Sequence, residues 1–253
     1  MVIIKTPQEI EKIRDACQIV AEILREFQET IQPGMRTIDL DRKAEKRIRQ
    51  RGMMPAFLGY RGYPRTLCVS VNEEVVHGIP SERELREGDV VGLDLGAVHQ
   101  GYYGDAAVTV LVGKGSERAR RLMKRTEESL YKGIEKAVVG GRLSDISAAV
   151  QGHVEQGGYS VVRDFVGHGI GQALHEDPQV PNYGVPGKGI RLEPGLVLAI
   201  EPMVNEGGVE VEIMQDGWTA VTKDRKLSAH YEHTIAITEN GPVILSKLDE
   251  RRS

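Results

Sequence analysis

One spacing of 107 residues recurs along this chain and separates residues of matching type. The offset joins candidate helix caps, turn glycines and acidic strand ends, in the same order in both parts of the chain. The four pairs are Thr37 and Ser144, Gly62 and Gly169, Gly88 and Gly195, and Asp94 and Glu201. A constant offset of this length indicates an internal duplication and is too long for a solenoid repeat. Coincidence among common capping and turn residues is the alternative interpretation.

The duplication predicts an α+β fold in which two related halves pack about a pseudo-two-fold axis. The halves would be roughly residues 6–112 and 116–240. Each half forms a sheet that needs the other half or its own helices as cover, so we expect a single domain. A length of 253 residues fits one large domain with a sizeable core.

Each half begins with two predicted helices. Thr6-Pro7-Gln8-Glu9 is a capping box with proline at the first helical position, and apolar residues then recur every three or four positions up to Ile31. Thr37, Ser116 and Ser144 are predicted to cap the second, third and fourth helices.

Charge and cysteine content exclude several classes of protein. With 33 Lys+Arg against 37 Asp+Glu, the net charge of −4 argues against a broad basic surface for nucleic acid. Cys17 and Cys68 cannot form a disulfide framework, which favours a reducing compartment. The apolar start is too short for a signal peptide, and no stretch approaches the ~20 apolar residues of a membrane span. We therefore expect a soluble, cytoplasmic protein.

Two predicted strands of the first half carry aspartates where apolar residues are expected. Asp94 lies near the end of the apolar run 89–96, and Asp105 begins the returning strand 105–112. A two-residue turn at His99-Gln100 would place Asp94 directly opposite Asp105, where like charges are destabilising.

The second half predicts the same arrangement. Glu201 ends the apolar run 195–201, and Glu232 leads into the strand 233–238. Asp216-Gly217 is a strong hairpin-turn signal, and pairing across it places Glu201 opposite Glu232. Gly207-Gly208 indicates a bulge or loop, which makes this long-range register less secure.

Four carboxylates brought together by the duplication predict a dinuclear metal site. Any single one of them could instead be an exposed or strand-end residue. A buried carboxylate without a partner costs several kcal/mol, so four of them need counter-charges. Two divalent cations balance four negative charges, and bridging carboxylates hold such metals about 3.5–4 Å apart in two-metal hydrolases.

Three of the seven histidines are candidates for a functional site. His168 lies in Gly-His-Gly-Ile-Gly, where glycines let the backbone pack closely around the imidazole, and this motif lacks the spacing of a dinucleotide-binding loop. His77 and His175 lie in polar loops, where a neutral imidazole can hydrogen-bond a substrate. We expect structural or solvent-facing roles for the other four, His99, His153, His230 and His233.

Together these motifs resemble the type I methionine aminopeptidases of the short bacterial kind. The resemblance runs over nearly the whole chain and includes Gly-His168-Gly-Ile-Gly, Ile-Glu201-Pro-Met and Tyr-Glu232-His-Thr. It implies the pita-bread fold, an α+β fold with an antiparallel sheet flanked by helices, whose two related halves agree with the duplication. It also implies five metal ligands, Asp94, Asp105, His168, Glu201 and Glu232.

The resemblance implies hydrolytic removal of the initiator methionine from peptides whose second residue is small. Glu201 would pass a proton from water to the leaving amine, while His175 and His77 would hydrogen-bond the scissile carbonyl oxygen and amide. The free α-amine would bind the metal held by Asp94 and Asp105. Four carboxylates and one imidazole favour Co(II), Mn(II) or Fe(II) as the two divalent ions.

The same resemblance implies a pocket for the methionine side chain with an aromatic and thiol lining. Capping of a hairpin by Trp218 and simple core filling by Cys68 are the alternatives. Leu174 stands where many family members carry an aromatic residue, which leaves the tolerance for the second residue open. The pocket would be lined by Tyr60, Tyr63, Cys68, His77 and Trp218.

The expected partners are the N-termini of nascent polypeptides. We expect the protein to be a monomer, and we expect it to bind neither a membrane nor a specific nucleic acid. The basic run 43–51 leaves a transient ribosome contact open, although its acidic and apolar residues favour an ordinary solvated helix face. One alternative is an Xaa-Pro aminopeptidase or prolidase, which usually has an additional N-terminal domain for which 253 residues leave no room. The other is a non-catalytic peptide- or ribosome-binding homologue, which typically loses metal ligands.

Overall fold

The computed structural model describes residues 2–248. In this range the helices are α1 (Pro7–Thr30), α2 (Thr37–Gln50), α3 (Glu117–Ile134) and α4 (Leu143–Gln156), with a 3-10 turn at Tyr60–Gly62. None of the helices in this range combines the length and apolar character of a membrane span. The strands are β1 (Met54–Pro55), β2 (Leu67–Val71), β3 (Glu74–Val76), β4 (Val90–His99), β5 (Tyr102–Leu111), β6 (Ser160–Val161), β7 (Gly167–Gly169), β8 (Glu176–Val180), β9 (Val197–Ile200), β10 (Met203–Asn205), β11 (Val211–Ile213), β12 (Ala220–Thr222), β13 (Ser228–His230), β14 (Glu232–Thr238) and β15 (Gly241–Ile244).

A nine-stranded antiparallel sheet organises residues 2–248. Its order is β1-β4-β5-β14-β9-β7-β8, and β2 and β15 pair with β4 and β14 respectively. Two smaller sheets have the orders β13-β10-β6 and β11-β12-β3. At the centre, Glu232 of β14 pairs with Ala107 of β5, so strands from both halves of the sequence form one continuous sheet.

The helices cover the sheet as two pairs. Phe27 of α1 and Leu40 of α2 belong to the same buried cluster as Leu93 of β4, while Leu130 of α3 is buried with Leu198 of β9. Burial of this apolar surface is the main stabilising contribution to such a core. The predicted α+β architecture with helices flanking an antiparallel sheet is confirmed.

Helix α1 begins as its sequence predicts and packs closely on the sheet. The Thr6 side chain accepts from the Glu9 N–H, and the Glu9 side chain accepts from the Thr6 N–H, which completes the capping box. Gly104 on β5 makes the close packing possible, because a Cβ atom there would lie 2.5 Å from the Cys17 backbone nitrogen. Asp105 therefore follows a position where helix and strand are nearly in backbone contact.

Thr37 and Ser144 were expected to cap helices, and this prediction is wrong, since the N-cap is an arginine in both α2 and α4. The Thr37 hydroxyl instead donates to the Ser81 carbonyl (3.0 Å) and accepts from the Ser81 N–H (2.9 Å). The Ser144 hydroxyl donates to the Lys188 carbonyl (2.9 Å) and accepts from the Lys188 N–H (2.7 Å). Ser81 and Lys188 are also 107 residues apart, so the contact itself is repeated in the two halves.

The glycine pairs of the duplication behave differently from one another. Gly88 and Gly195 share a left-handed backbone, with φ of 89° and 86°. Each donates its N–H to the end of a strand segment, at Val112 and Ile237 respectively. Gly62 lies in a 3-10 turn, whereas its counterpart 107 residues later lies in β7, so this pair is not structurally equivalent.

The hairpin of β4 and β5 forms, but its register differs from the prediction. Asp94 pairs with Ala107 and Gly96 pairs with Asp105, so the two aspartates are diagonal neighbours rather than directly opposite. The turn is centred on Gln100 and Gly101, whose φ angles of 49° and 81° suit a two-residue turn with two left-handed positions. Because side chains alternate along a strand, both carboxyl groups still lie on the same face.

The register predicted for the second half is confirmed. Ile200 pairs with His233 on one side of the acidic pair, and Met203 pairs with His230 on the other, which places Glu201 opposite Glu232. The Asp216 carboxylate accepts from the Trp218 and Thr219 N–H groups in the predicted turn. The register is the same beyond the loop that contains Gly207 and Gly208, because Val211 pairs with Thr222.

The basic run 43–51 lies on α2 and faces the acidic side of α1. Lys43 and Arg47 both form ion pairs with Glu26, at 2.8 and 3.2 Å, and Arg51 pairs with Glu22 at 2.5 Å. These cations are 39–53% exposed. The run is a solvated helix face whose charges are largely compensated, as its mixed composition predicts.

Candidate metal centre and substrate cavity

The residues predicted to form the site converge on one cavity of about 330 Å³, although they come from distant parts of the chain. Its lining includes Val76 of β3 in a smaller sheet and Asp94, Asp105 and Glu232 on the central strands of the main sheet. All eleven predicted residues line it: Tyr60, Tyr63, Cys68, His77, Asp94, Asp105, His168, His175, Glu201, Trp218 and Glu232.

An acidic cluster lies at the sheet side of the cavity. Ligand atoms of Asp105, His168 and Glu232 all lie within 4.8 Å of one another, and these three residues are only 2–6% exposed. Glu201 extends the cluster, since its Oε1 is 3.5 Å from the His168 Nε2. Asp94 adjoins Asp105 on the same strand face.

His168 is held in one tautomer by its own backbone. Its Nδ1 lies 2.9 Å from the Gly169 carbonyl oxygen, which can only accept, so Nδ1 carries the proton and Nε2 presents a lone pair to the cluster. Burial lowers the pKa of His168 to about 3, so the ring is neutral near pH 7. A neutral imidazole with one oriented lone pair is the form that ligates metals.

The glycines that flank His168 were expected to make room for its imidazole, but they make room for neighbouring backbone atoms instead. A Cβ atom at Gly167 would lie 2.4 Å from the Ala199 carbonyl oxygen, and one at Gly169 would lie 2.2 Å from that of Asp177. The glycines therefore make room for the neighbouring backbone of β9 and the segment at β8, and not for the imidazole itself. This close packing fixes His168 between two strands.

The carboxyl groups of the cluster need a counter-charge to be fully ionised near pH 7. Burial raises the pKa of Asp94 to about 7, and burial together with the neighbouring carboxylates raises those of Asp105 and Glu232 well above their usual values. The Asp94 Oδ1, Asp105 Oδ1 and Glu232 Oε1 atoms are buried and have no hydrogen-bond partner. Oxygen atoms of this kind beside an imidazole lone pair fit the ligand preferences of a hard divalent cation.

The two other candidate histidines, His77 and His175, line the same cavity. The Tyr60 hydroxyl lies 2.8 Å from the His175 Nδ1, and the His175 ring lies 4.4 Å from that of His168, measured between centroids. His77 has a left-handed backbone with φ of 62°, and its ring contacts Phe165 edge-on at 5.3 Å. Burial lowers the pKa of His77 to about 4 and also lowers that of His175. Both rings are therefore neutral near pH 7 and can donate or accept a hydrogen bond.

An apolar recess adjoins these histidines. The Tyr63 and Trp218 rings meet edge to face at 5.1 Å, and the Tyr63 hydroxyl donates to the Gly78 carbonyl (3.0 Å). Cys68 is 4% exposed and lies opposite Asp94 on the paired strand β2. Aromatic faces and a thiol form a polarizable lining beside the acidic cluster.

Several residues of the site were missed or misjudged from the sequence. The sequence predicts a structural or solvent-facing role for His230; it is 3% exposed, which excludes the solvent-facing role, and its Nε2 lies 3.7 Å from the Glu201 Oε2. Its position two residues before Glu232 was the available signal. Phe165 and Met203 also line the cavity, and each lies two or three residues from a predicted ligand in the sequence.

The sequence matches a known family over most of its length. Residues 11–239 match the family model described as metallopeptidase family M24. The methionine aminopeptidase of Clostridium acetobutylicum is 54% identical over 247 residues, which cover 97% of this chain and 99% of that protein. Methionine aminopeptidase 1 of Bacillus subtilis is 53% identical over 248 residues, with 98% and 100% covered.

Solved structures agree with the sequence matches. The crystal structure of methionine aminopeptidase from Thermotoga maritima has a TM-score of 0.96 and 52% identity, covering 98% of this chain and all of that chain. The prolidase from Pyrococcus horikoshii OT3 has a TM-score of 0.78 and 25% identity, and the match covers 98% of this chain but 65% of the prolidase. The pita-bread fold implied by the sequence is confirmed. This chain belongs to metallopeptidase family M24.

Proposed function

We propose that this chain hydrolyses the first peptide bond of proteins and peptides that begin with methionine and continue with a small residue. The observation that carries the proposal is the juxtaposition of an apolar recess and an acidic cluster within one 330 Å³ cavity. A recess lined by Tyr63, Cys68 and Trp218 suits a thioether side chain. The names of the relatives from Clostridium acetobutylicum and Bacillus subtilis support the same activity.

We assign the metal ligands to Asp94, Asp105, His168, Glu201 and Glu232. The unpartnered oxygen atoms of three of them and the neutral Nε2 of His168 support this assignment. The four carboxylates balance two divalent cations, and the oxygen-rich donor set favours Co(II), Mn(II) or Fe(II). When bound in such a site, divalent cations supply an acidified water molecule and polarise the scissile carbonyl.

The remaining steps are assigned to side chains of the cavity. Glu201 accepts a proton from the attacking water and passes it to the leaving amine, because it lies between the acidic cluster and two imidazoles. His175 donates a hydrogen bond to the scissile carbonyl oxygen as negative charge develops there. Its Nδ1 is already engaged with Tyr60, which leaves Nε2 for the substrate. His77, which also lines the cavity, contacts the scissile amide.

The proposal extends to the organisation and setting of the protein. We assign one catalytic domain with halves at roughly 6–112 and 116–240, supported by the repeated hydroxyl contacts of Thr37 and Ser144. The chain acts as a monomer on nascent N-termini in the cytoplasm. Both cysteines are free and buried, which supports a reducing compartment.

A comparison of two peptides separates this proposal from a prolidase-like activity. With Mn(II) or Co(II) present, Met-Ala-Ser should be cleaved with a kcat/KM at least about tenfold above that for Ala-Pro-Ala, because the recess binds methionine and not alanine. An Asp105→Asn variant should lose cleavage of both, whereas Asp39→Asn, on the exposed face of α2, should not. Faster cleavage of Ala-Pro-Ala would favour the prolidase alternative, and full activity of Asp105→Asn would contradict the proposed centre.

A further inference from the structure

Lys5, just before the capping box, is buried against Glu176, the residue that follows His175 in the chain. It is 4% exposed, although lysine side chains are almost never fully buried without a partner. Its Nζ donates to the Glu176 Oε2 (2.5 Å) and to the Ile3 carbonyl (2.9 Å). The Glu176 side chain is itself only 7% exposed, so this is a desolvated ion pair.

Two glycines make room for Lys5 on both sides. A Cβ atom at Gly171 would lie 2.6 Å from the Lys5 Cε and 2.7 Å from the Glu176 Oε1. A Cβ atom at Gly195 would lie 2.6 Å from the Lys5 carbonyl oxygen, and Lys5 donates its N–H to the Gly195 carbonyl (2.8 Å). Gly195 also has φ of 86°, which a side chain disfavours. The backbone is thus shaped around this ion pair.

The ion pair acts on the loop that carries His175, which joins β7 to β8. The second oxygen of Glu176, Oε1, accepts from the Ala173 N–H (3.2 Å), and the Gly171 N–H donates to the Ala173 carbonyl (3.2 Å). Glu176 therefore bonds to Ala173 within the loop through Oε1 and to Lys5 of the N-terminal segment through Oε2. His175 directly precedes Glu176 in the chain.

The start of α1 holds the other end of the same loop. The Gln172 side chain donates to the Tyr102 hydroxyl (3.0 Å), which donates to the Oε1 of the capping-box residue Glu9 (2.8 Å). The Tyr103 N–H donates to the Gly171 carbonyl (2.8 Å). These contacts hold the loop at residues 171 and 172, and Lys5 supplies the positive charge that neutralises Glu176 at its other end.

We propose that Lys5 is a positioning residue for His175, acting through its buried ion pair with Glu176. The inference rests on the proposed function, since it assigns to His175 a hydrogen bond to the scissile carbonyl. Loss of the Lys5 charge leaves the Glu176 carboxylate buried and unpaired, so it turns toward solvent and releases the Ala173 N–H. The His175 ring then loses its alignment with the reacting carbonyl, which costs rate more than binding.

A double-mutant cycle tests the inference with the full chain loaded with Mn(II). Lys5→Met should lower kcat for Met-Ala-Ser by roughly ten- to a hundredfold with KM changed by less than about threefold. In a His175→Ala background, the same Lys5→Met change should alter kcat by less than about twofold, because its effect runs through His175. Lys132→Met, which breaks an exposed ion pair of α3, is the matched control and should leave both constants unchanged.

Amide hydrogen exchange gives a readout that does not depend on activity. In Lys5→Met the amides of residues 171–176 should exchange faster, while those of β4 and β5 keep their protection. If Lys5→Met does not fold, Glu176→Gln is the second variant, because glutamine has a single side-chain oxygen and cannot accept from both the Ala173 N–H and the Lys5 Nζ, as the two oxygens of Glu176 do. Glu176→Gln should shift kcat and loop exchange in the same direction.

The outcomes separate the two claims. If the wild type does not cleave Met-Ala-Ser, or if His175→Ala keeps full kcat, the proposed function or the role of His175 is wrong, whatever Lys5 does. If His175→Ala is impaired but Lys5→Met lowers kcat equally in both backgrounds, Lys5 has only a general structural role. Unchanged kcat and loop exchange in Lys5→Met, or in Glu176→Gln where that variant replaces it, would overturn the positioning role.

Discussion

Asp105 lies two positions along β5 from the residue directly opposite Asp94, so the two carboxyl groups are diagonal neighbours on one face of the hairpin. Diagonal neighbours on adjacent strands are about 7–8 Å apart at the backbone and can approach through their side chains. Two carboxylates in this relationship repel each other when both are ionised. A cation held by both carboxylates, as we propose, would offset this repulsion, so without a cation the arrangement costs stability.

The first prediction concerns the cost in stability of burying the Asp94 carboxyl group close to that of Asp105. The folded state raises the pKa of Asp94 to about 7, above the ~3.9 of an unfolded aspartate. Ionisation of Asp94 therefore disfavours folding, so the contribution of Asp94 to the free energy of unfolding of the metal-free protein should fall as the pH rises from about 4 to about 7. Asp94→Asn should reduce this fall and be more stable than the wild type at pH 8 by about 1–3 kcal/mol.

Urea unfolding of chelator-treated protein at pH 5 and pH 8 measures this difference. Addition of Mn(II) should reverse the order, because the wild type gains binding free energy that Asp94→Asn loses. A variant that is less stable than the wild type without metal at pH 8 would show that Asp94 has a partner in the folded chain and does not need a cation.

The second prediction concerns His77, whose pKa is lowered to about 4 mainly by burial. The unfolded chain binds a proton near pH 6.5 and the folded chain does not, so the stabilisation is present above pH 6.5 and is lost as the pH falls to about 4. Relative to the wild type, His77→Asn should lack this loss, which we expect to be about 3 kcal/mol at pH 4. Denaturant unfolding of both proteins across this pH range provides the test, and parallel curves would contradict it.

The third prediction concerns the apolar recess. Trp218 meets Tyr63 edge-on at 5.1 Å, and Trp218→Ala opens that wall. We expect KM for Met-Ala-Ser to rise by roughly tenfold or more with a smaller change in kcat, because the lost contacts bind the side chain in the ground and transition states alike. Ile213→Ala, at an exposed position of the same hairpin arm, should leave KM unchanged. Equal effects of the two substitutions would mean that Trp218 only stabilises the hairpin.

Local rules in the sequence predicted much of this fold. The capping box at Thr6 and Glu9 forms because its hydrogen bonds involve only neighbouring residues. The pairing of Glu201 with Glu232 follows from one well-defined turn at Asp216 and Gly217. In each case the signal and the structure that it specifies involve the same few residues.

Other predictions were wrong because distant residues compete for the same groups. The hydroxyls of Thr37 and Ser144 bond to loops 44 residues away, which no helix-capping rule includes. The register of the hairpin of β4 and β5 differs from the predicted one by two residues. The two left-handed turn positions are Gln100 and Gly101, and not His99 and Gln100. The closeness of His230 to Glu201 was not predicted, although the position of His230 two residues before Glu232 was an available signal.

The central claim is that the acidic cluster holds divalent cations, and a titration of metal-stripped protein with Mn(II) tests it most directly. Calorimetry with parallel assays on Met-Ala-Ser should show no activity in the stripped protein, recovery on titration, and two ions per chain. Asp105→Asn should lose at least one of these ions, whereas Asp39→Asn should bind both. Full activity of the stripped protein, or unchanged Mn(II) binding by Asp105→Asn, would contradict the account.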